Sequence, residues 1–286
     1  MKSLSVKSGF GIGALITAVA AIIALPLRTA QFFTILESDT GFYSETDWTV
    51  YVLYGVLVAA VAAALVSGCM KRKKLDYSLE VTKRPGFGIL SITASIGALS
   101  DAARCIISFM STSPSDETAG ASAILLAFEA VFALLSAIFF LAIGASALGG
   151  KSNGSEYKII SLAPVLWSIF RVVFRFTRTI SYIRVSELMF EMLMMVFLIL
   201  FFMAFAQANS NINAKDNKWK VAAYGMPAAL LALVCFVPRF IVTVSGNAHL
   251  LNEQSPIEYC DIANAAFIIC TVFTRVTDKI SSEEEV

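Results

Sequence analysis

The sequence predicts an all-α protein: a polytopic membrane helix bundle of about eight transmembrane helices. Three observations carry that prediction. Of 286 residues, 57% are hydrophobic and 15% charged, with a mean hydropathy of +0.75, whereas a soluble domain carries about 25% charged residues. The chain contains repeated apolar runs of bilayer-crossing length, roughly 20 residues each. The polar segments between those runs alternate in charge sign.

The runs fall at 9–31, 48–69, 86–110, 120–148, 158–182, 186–208, 219–244 and 256–275. The first follows Lys2 and Lys7, but its apolar character continues past Pro26 to Phe33, too far for a signal peptide core of 7 to 15 residues. It reads as a retained span. The loops are short, so residues 1–280 read as one transmembrane domain and 281–286 as a solvated acidic tail containing Glu283, Glu284 and Glu285.

Orientation follows from lysine and arginine in the short loops. The amino terminus and the even loops are basic, with Lys71, Arg72, Lys73, Lys74, Lys83 and Arg84 in the second, Lys151 and Lys158 in the fourth, and Lys215, Lys218 and Lys220 in the sixth. The odd loops carry Glu37, Asp39, Glu45 and Asp47, then Asp116 and Glu117, then Glu253. Both termini are expected in the cytoplasm, and the expected location is the cell membrane of a prokaryotic source.

An arginine recurs near the outer end of each odd span, as Arg28, Arg104, Arg178 and Arg239, and three of the following even spans contain a carboxylate at comparable depth, Glu129, Glu191 and Asp261. Ten residues after each glutamate stands a phenylalanine pair, Phe139-Phe140 and Phe201-Phe202. The recurrence suggests four tandem helical hairpins around a central site. A charged side chain inside a bilayer costs roughly 2.5 to 3.5 kcal/mol and faces the bundle interior, where it finds a partner. The expected structural charge pairs are Arg104 with Glu129, Arg178 with Glu191, and Arg239 with Asp261.

Span five is the most heavily charged. Trp167, Arg171, Arg175 and Arg178 follow one another at spacings of four, four and three, which places them on one helical face. Six arginines within spans (Arg28, Arg104, Arg171, Arg175, Arg178, Arg239) stand against four clearly buried acids (Asp101, Glu129, Glu191, Asp261), a surplus of two positive charges. Such a surplus in low dielectric would attract a carboxylate, a phosphate or a lipid headgroup. The candidate ligand-binding residues are therefore Arg171, Arg175, Arg178, Trp167, Glu129 and Glu191. The expected partners are the bilayer and an anionic small molecule or lipid headgroup.

Other chemistries find no motif. The single histidine, His249, lies in a loop, and no nucleophile elbow, zinc-protease helix or phosphate-binding loop occurs. Cys69, Cys105, Cys235, Cys260 and Cys270 have no paired spacing, so neither a metal nor a cofactor is expected, and a net charge of +1 gives no basic surface for nucleic acid. Two functions remain: a small transporter-like protein with an arginine-lined cavity for an anionic or amphiphilic ligand, and a non-transporting membrane scaffold or sensor whose charge pairs hold helices in register.

Overall fold

The computed structural model describes residues 11–36, 43, 47–72, 75–77, 84–111, 119–150, 158–177, 185–210, 214–251 and 257–278. Eight helices follow in order: α1 Gly11–Thr34, α2 Trp48–Met70, α3 Pro85–Ser111, α4 Ala119–Gly149, α5 Ala163–Thr177, α6 Val185–Asn209, α7 Ala214–Val244 and α8 Tyr259–Arg275. Among the described residues, seven helical segments are long and apolar enough to cross a membrane, the α5 one including the 3-10 turn Ile160–Leu162 that leads into that helix. The eighth span is shorter than expected: α8 has 17 residues, about 25 Å at 1.5 Å per residue, against a hydrocarbon core of about 30 Å. The predicted acidic tail lies outside the described residues.

Polar ends and small residues explain how such apolar helices pack. Helix–helix contacts in a bilayer favour residues that let backbones approach. A Cβ added to Gly144 of α4 would lie 2.9 Å from the carbonyl oxygen of Gly88 in α3. At the α3–α8 contact a Cβ on Gly97 would lie 2.7 Å from that of Ala263, and at the α2–α7 contact one on Gly68 would lie 2.6 Å from that of Ala223. Hydroxyls inside the bundle are satisfied locally or across it: Ser91 donates to the Phe87 carbonyl at 2.8 Å, Thr271 to that of Phe267 at 2.7 Å, and Ser95 to that of Ala137 on the next helix at 2.8 Å.

The helices do not form four equivalent hairpins. α3 packs on α4 and α8, α5 on α4 and α6, and α7 on α6 and α8, so these six close a ring. The α1–α2 hairpin lies outside that ring, docked on α7. α2 accordingly buries one stripe, Val50, Leu53, Leu57, Ala60, Ala64 and Gly68, and leaves the rest to lipid.

Among the described residues, large side chains fill the ring interior where the sequence reading places a central cavity. Phe140 meets Phe202 at 5.9 Å between ring centroids and Phe267 at 5.1 Å, while Phe205 meets Phe201 at 5.8 Å and Phe267 at 5.5 Å. The two phenylalanine pairs of the sequence recurrence thus come together in one aromatic layer. Bulky rings occupy the space that a solute would need.

Two strands add a feature the sequence reading lacks. β1 Leu75–Tyr77 pairs antiparallel with β2 Val276–Asp278, with Asp76 opposite Thr277. This ribbon ties the α2–α3 connection to the segment that leaves α8.

Candidate functional site: a charge layer and a lateral groove

At the end of the ring opposite the ribbon, three helix termini converge on a buried layer of charges. α5 ends two residues after Arg175. α6 carries Glu191 in its second turn, and α8 begins with Glu258 as its cap and Asp261 in its first turn. The placement suits the helix dipoles, since acids stabilise a helix amino terminus and a cation stabilises the last turn. Longer α3, α4 and α7 pass through the layer and contribute Asp101, Arg104, Glu129 and Arg239.

All six ring helices join one network. Trp167 Nε1 donates to Asp101 Oδ2 at 2.7 Å, and Arg104 donates to Asp101 Oδ1 through Nε at 3.0 Å and Nη2 at 2.7 Å. The same Nη2 donates to Glu129 Oε1 at 2.9 Å. Arg171 stacks over the Trp167 ring, 5.5 Å from its centroid, and donates to Asp261 Oδ1 at 2.9 Å and to Glu258 Oε2. Arg175 donates to Glu258 Oε1 and lies 3.2 Å from Glu191 Oε2, whose other oxygen lies 2.6 Å from Arg239 Nη1.

Several expected pairings change. Arg104 and Glu129 do meet. Arg239 meets Glu191 rather than Asp261, because Asp261 is taken by Arg171 from across the ring. Arg178 lies outside the described residues, so its expected partnership with Glu191 does too, and Glu191 is held between Arg175 and Arg239. Arg171 and Arg175 are not uncompensated: between them they contact four carboxylates, Asp101, Glu191, Glu258 and Asp261.

The residue that changes the balance is Glu258, which is 7% exposed. It stands at the edge of an apolar run, where a glutamate reads as part of a polar loop, and only its distance of 87 positions from Arg171 explains why local spacing could not find it. With Glu258 counted, the layer holds, among the described residues, five acids, Asp101, Glu129, Glu191, Glu258 and Asp261, against four arginines, Arg104, Arg171, Arg175 and Arg239. The predicted cation surplus does not exist among the described residues. Arg28 stands apart on α1, donating to Gln31 Oε1 at 3.2 Å and to the Tyr43 hydroxyl at 2.9 Å.

Two groups bring possible metal donors together: Asp101, Glu258 and Cys260, and Asp101, Cys105 and Glu129, each with one donor atom per residue within 4.8 Å of the others. Arginine or indole donors already engage all three carboxylates, so a divalent cation would have to displace guanidinium groups. The donor set does not suit a resident metal.

Beside the layer a groove of about 470 Å³ opens between α3 and the start of α8. Ala103, Ile107, Ile257 and Tyr259 form its apolar walls, and Ser100, Asp101, Arg104, Ser108, Glu258 and Cys260 its polar side. Of the six residues singled out as ligand-binding by sequence, the five that are described, Trp167, Arg171, Arg175, Glu129 and Glu191, do not line it. Ile107 and Tyr259 are 67% and 59% exposed, so the groove opens sideways, toward lipid. Among the described arginines of the network, Arg104 is the one that reaches it, with 23% of its side chain exposed.

The fold and this layer define a multi-pass helical membrane bundle with an ion-paired interior. The chain matches no known family model, no curated protein and no solved structure.

Proposed function

We propose that this protein is an integral membrane protein that binds an amphiphile from the bilayer in the lateral groove between α3 and α8. The observation that carries the proposal is the groove itself, whose volume of about 470 Å³ falls within the range of small-molecule sites, about 300 to 1,000 Å³ with mostly apolar walls and a few placed polar groups. Its depth agrees. α3 is about 40 Å long and Arg104 lies seven residues from its end at Ser111, hence about 10 Å in, near the boundary of the hydrocarbon core where amphiphile heads meet their chains. The loop charges support a cell-membrane orientation with cytoplasmic termini, the ribbon inside and the groove near the outer leaflet.

The test is native mass spectrometry of protein extracted with its lipid. A retained amphiphile is expected in the native protein and in Val58→Trp, a control on the lipid-facing side of α2, and is expected to be lost in Ser100→Trp, which fills the groove. Equal retention by both variants would sink the proposal.

A second reading, a membrane scaffold, is favoured by one observation: Arg171 and Arg175 are saturated by carboxylates. On that reading both tryptophan variants leave every bound species unchanged, while loss of any network charge unfolds the bundle.

A further inference from the structure

We propose that the groove selects an amphiphile with an uncharged, hydrogen-bonding head, such as the hydroxyl and ester carbonyls of a diacylglycerol, over anionic and cationic lipids. This inference rests on the reading of the groove as an amphiphile site and names its ligand class.

The free hydrogen-bonding capacity of the polar side leads to that class. Arg104 uses Nε and Nη2 on Asp101, Cys105 and Glu129. Its Nη1 meets no acceptor among the described residues. A guanidinium carries five donors in a planar fork, so the two on Nη1 remain for a ligand oxygen at the groove. An acceptor stands beside them: Ser100 Oγ donates to the Gly97 carbonyl at 2.7 Å and keeps its own acceptor capacity. A head group that both accepts and donates fits this surface.

The charges argue against an ionic head. Asp101 and Glu258 line the groove with Arg104, and Arg171 and Arg175 stand behind Glu258 with their charges already matched. An anionic head placed against Arg104 would lie beside two carboxylates. A cationic head would compete with guanidinium groups already seated on those carboxylates. Either one would surrender its hydration at a surface whose charged groups already hold their partners, Asp101 with Arg104 and Trp167 and Glu258 with Arg171 and Arg175, whereas an uncharged carbonyl or hydroxyl exchanges one hydrogen bond for another.

The experiment offers the delipidated full-length protein in detergent an equimolar mixture of three lipids with the same two oleoyl chains: dioleoylglycerol, dioleoylphosphatidylglycerol and dioleoyl-trimethylammonium-propane. Bound species are counted by native mass spectrometry. Dioleoylglycerol is expected to be retained roughly tenfold over either charged lipid, with the preference reduced in Arg104→Leu and all retention lost in Ser100→Trp. Preferential retention of a charged lipid, sensitive to Ser100→Trp, would overturn the ligand class and leave the groove reading standing. Retention of none by the native protein, or retention unaffected by Ser100→Trp, would overturn both. The competition within the native protein decides the ligand class even if Arg104→Leu does not fold.

Discussion

Glu258 holds two arginines of α5 at once, and its removal would leave both partly unmatched in a low-dielectric interior. Breaking a buried pair from one side costs about 3–5 kcal/mol, because a charge is stranded. Glu258→Gln is therefore expected to lower the unfolding midpoint in detergent sharply, and the pair Glu258→Gln with Arg175→Gln to cost less than the two single losses added together. Strict additivity in that double-mutant cycle would show that the two side chains do not interact. Asn264, one turn below Asp261 and 1% exposed, presents the opposite case: neither its Nδ2 nor its Oδ1 finds a partner among the described residues. An unsatisfied buried polar group costs about 1–3 kcal/mol, so Asn264→Leu is expected to stabilise the protein, read as a higher midpoint. A lower midpoint would mean the amide is engaged. The sequence made the arginines of the layer legible, since a charge inside an apolar run must be buried and partnered. It did not make the partners legible, because Arg171 and Glu258 lie on helices that no local pattern relates.

Helix by helix, what the sequence expresses is apolar length, and seven of the eight elements follow from it. The exception, α8, is short because its amino terminus starts at the charge layer rather than at the membrane surface, a tertiary fact carried by Glu258 and Asp261. The stripe of Trp167 and Arg171, four residues apart, does occupy one buried face of α5, as periodicity predicts. Close packing of α3 on α4 was not legible, since glycine in a membrane helix is common for other reasons. Gly144→Ala tests it: the new methyl would lie 2.9 Å from the Gly88 oxygen and 2.9 Å from Ile92 Cγ1, and overpacking typically costs about 1–3 kcal/mol. Gly55→Ala on α2 meets nothing within 4 Å and is expected to be neutral or slightly stabilising in the same thermal scan. Equal midpoints for the two variants would contradict the close α3–α4 contact.

For the whole molecule, a ring of six helices with one hairpin outside gives a body whose interior is closed twice, by the charge layer and by the phenylalanine layer. Periodicity and hydropathy cannot choose between this and a hollow ring, because both bury the same faces; the choice lies in which large side chains meet, as Phe140 does Phe202 and Phe267. The connection between the two ends of the chain is likewise long-range. β1 and β2 lie about 200 residues apart in sequence, and their pairing requires α8 to return to the end of the bundle where α2 finishes. Asp76 stands opposite Thr277, and directly opposed residues on antiparallel strands have Cβ atoms about 4.5–5.5 Å apart, within a small adjustment of the separation a disulfide needs. The double variant Asp76→Cys, Thr277→Cys is therefore expected to cross-link under mild oxidation and to migrate faster on a non-reducing gel, while neither single variant does. A membrane-impermeant thiol reagent added to sealed cells is expected to leave these two positions unlabelled and to label a cysteine placed at Asp39, since the ribbon adjoins the lysine-rich loop that the positive-inside rule retains in the cytoplasm. Cross-linking with labelling from outside would keep the ribbon and reverse the orientation, whereas absence of cross-linking would mean that α8 does not bring the chain back to α2, and the ring would lose the helix that closes it between α3 and α7.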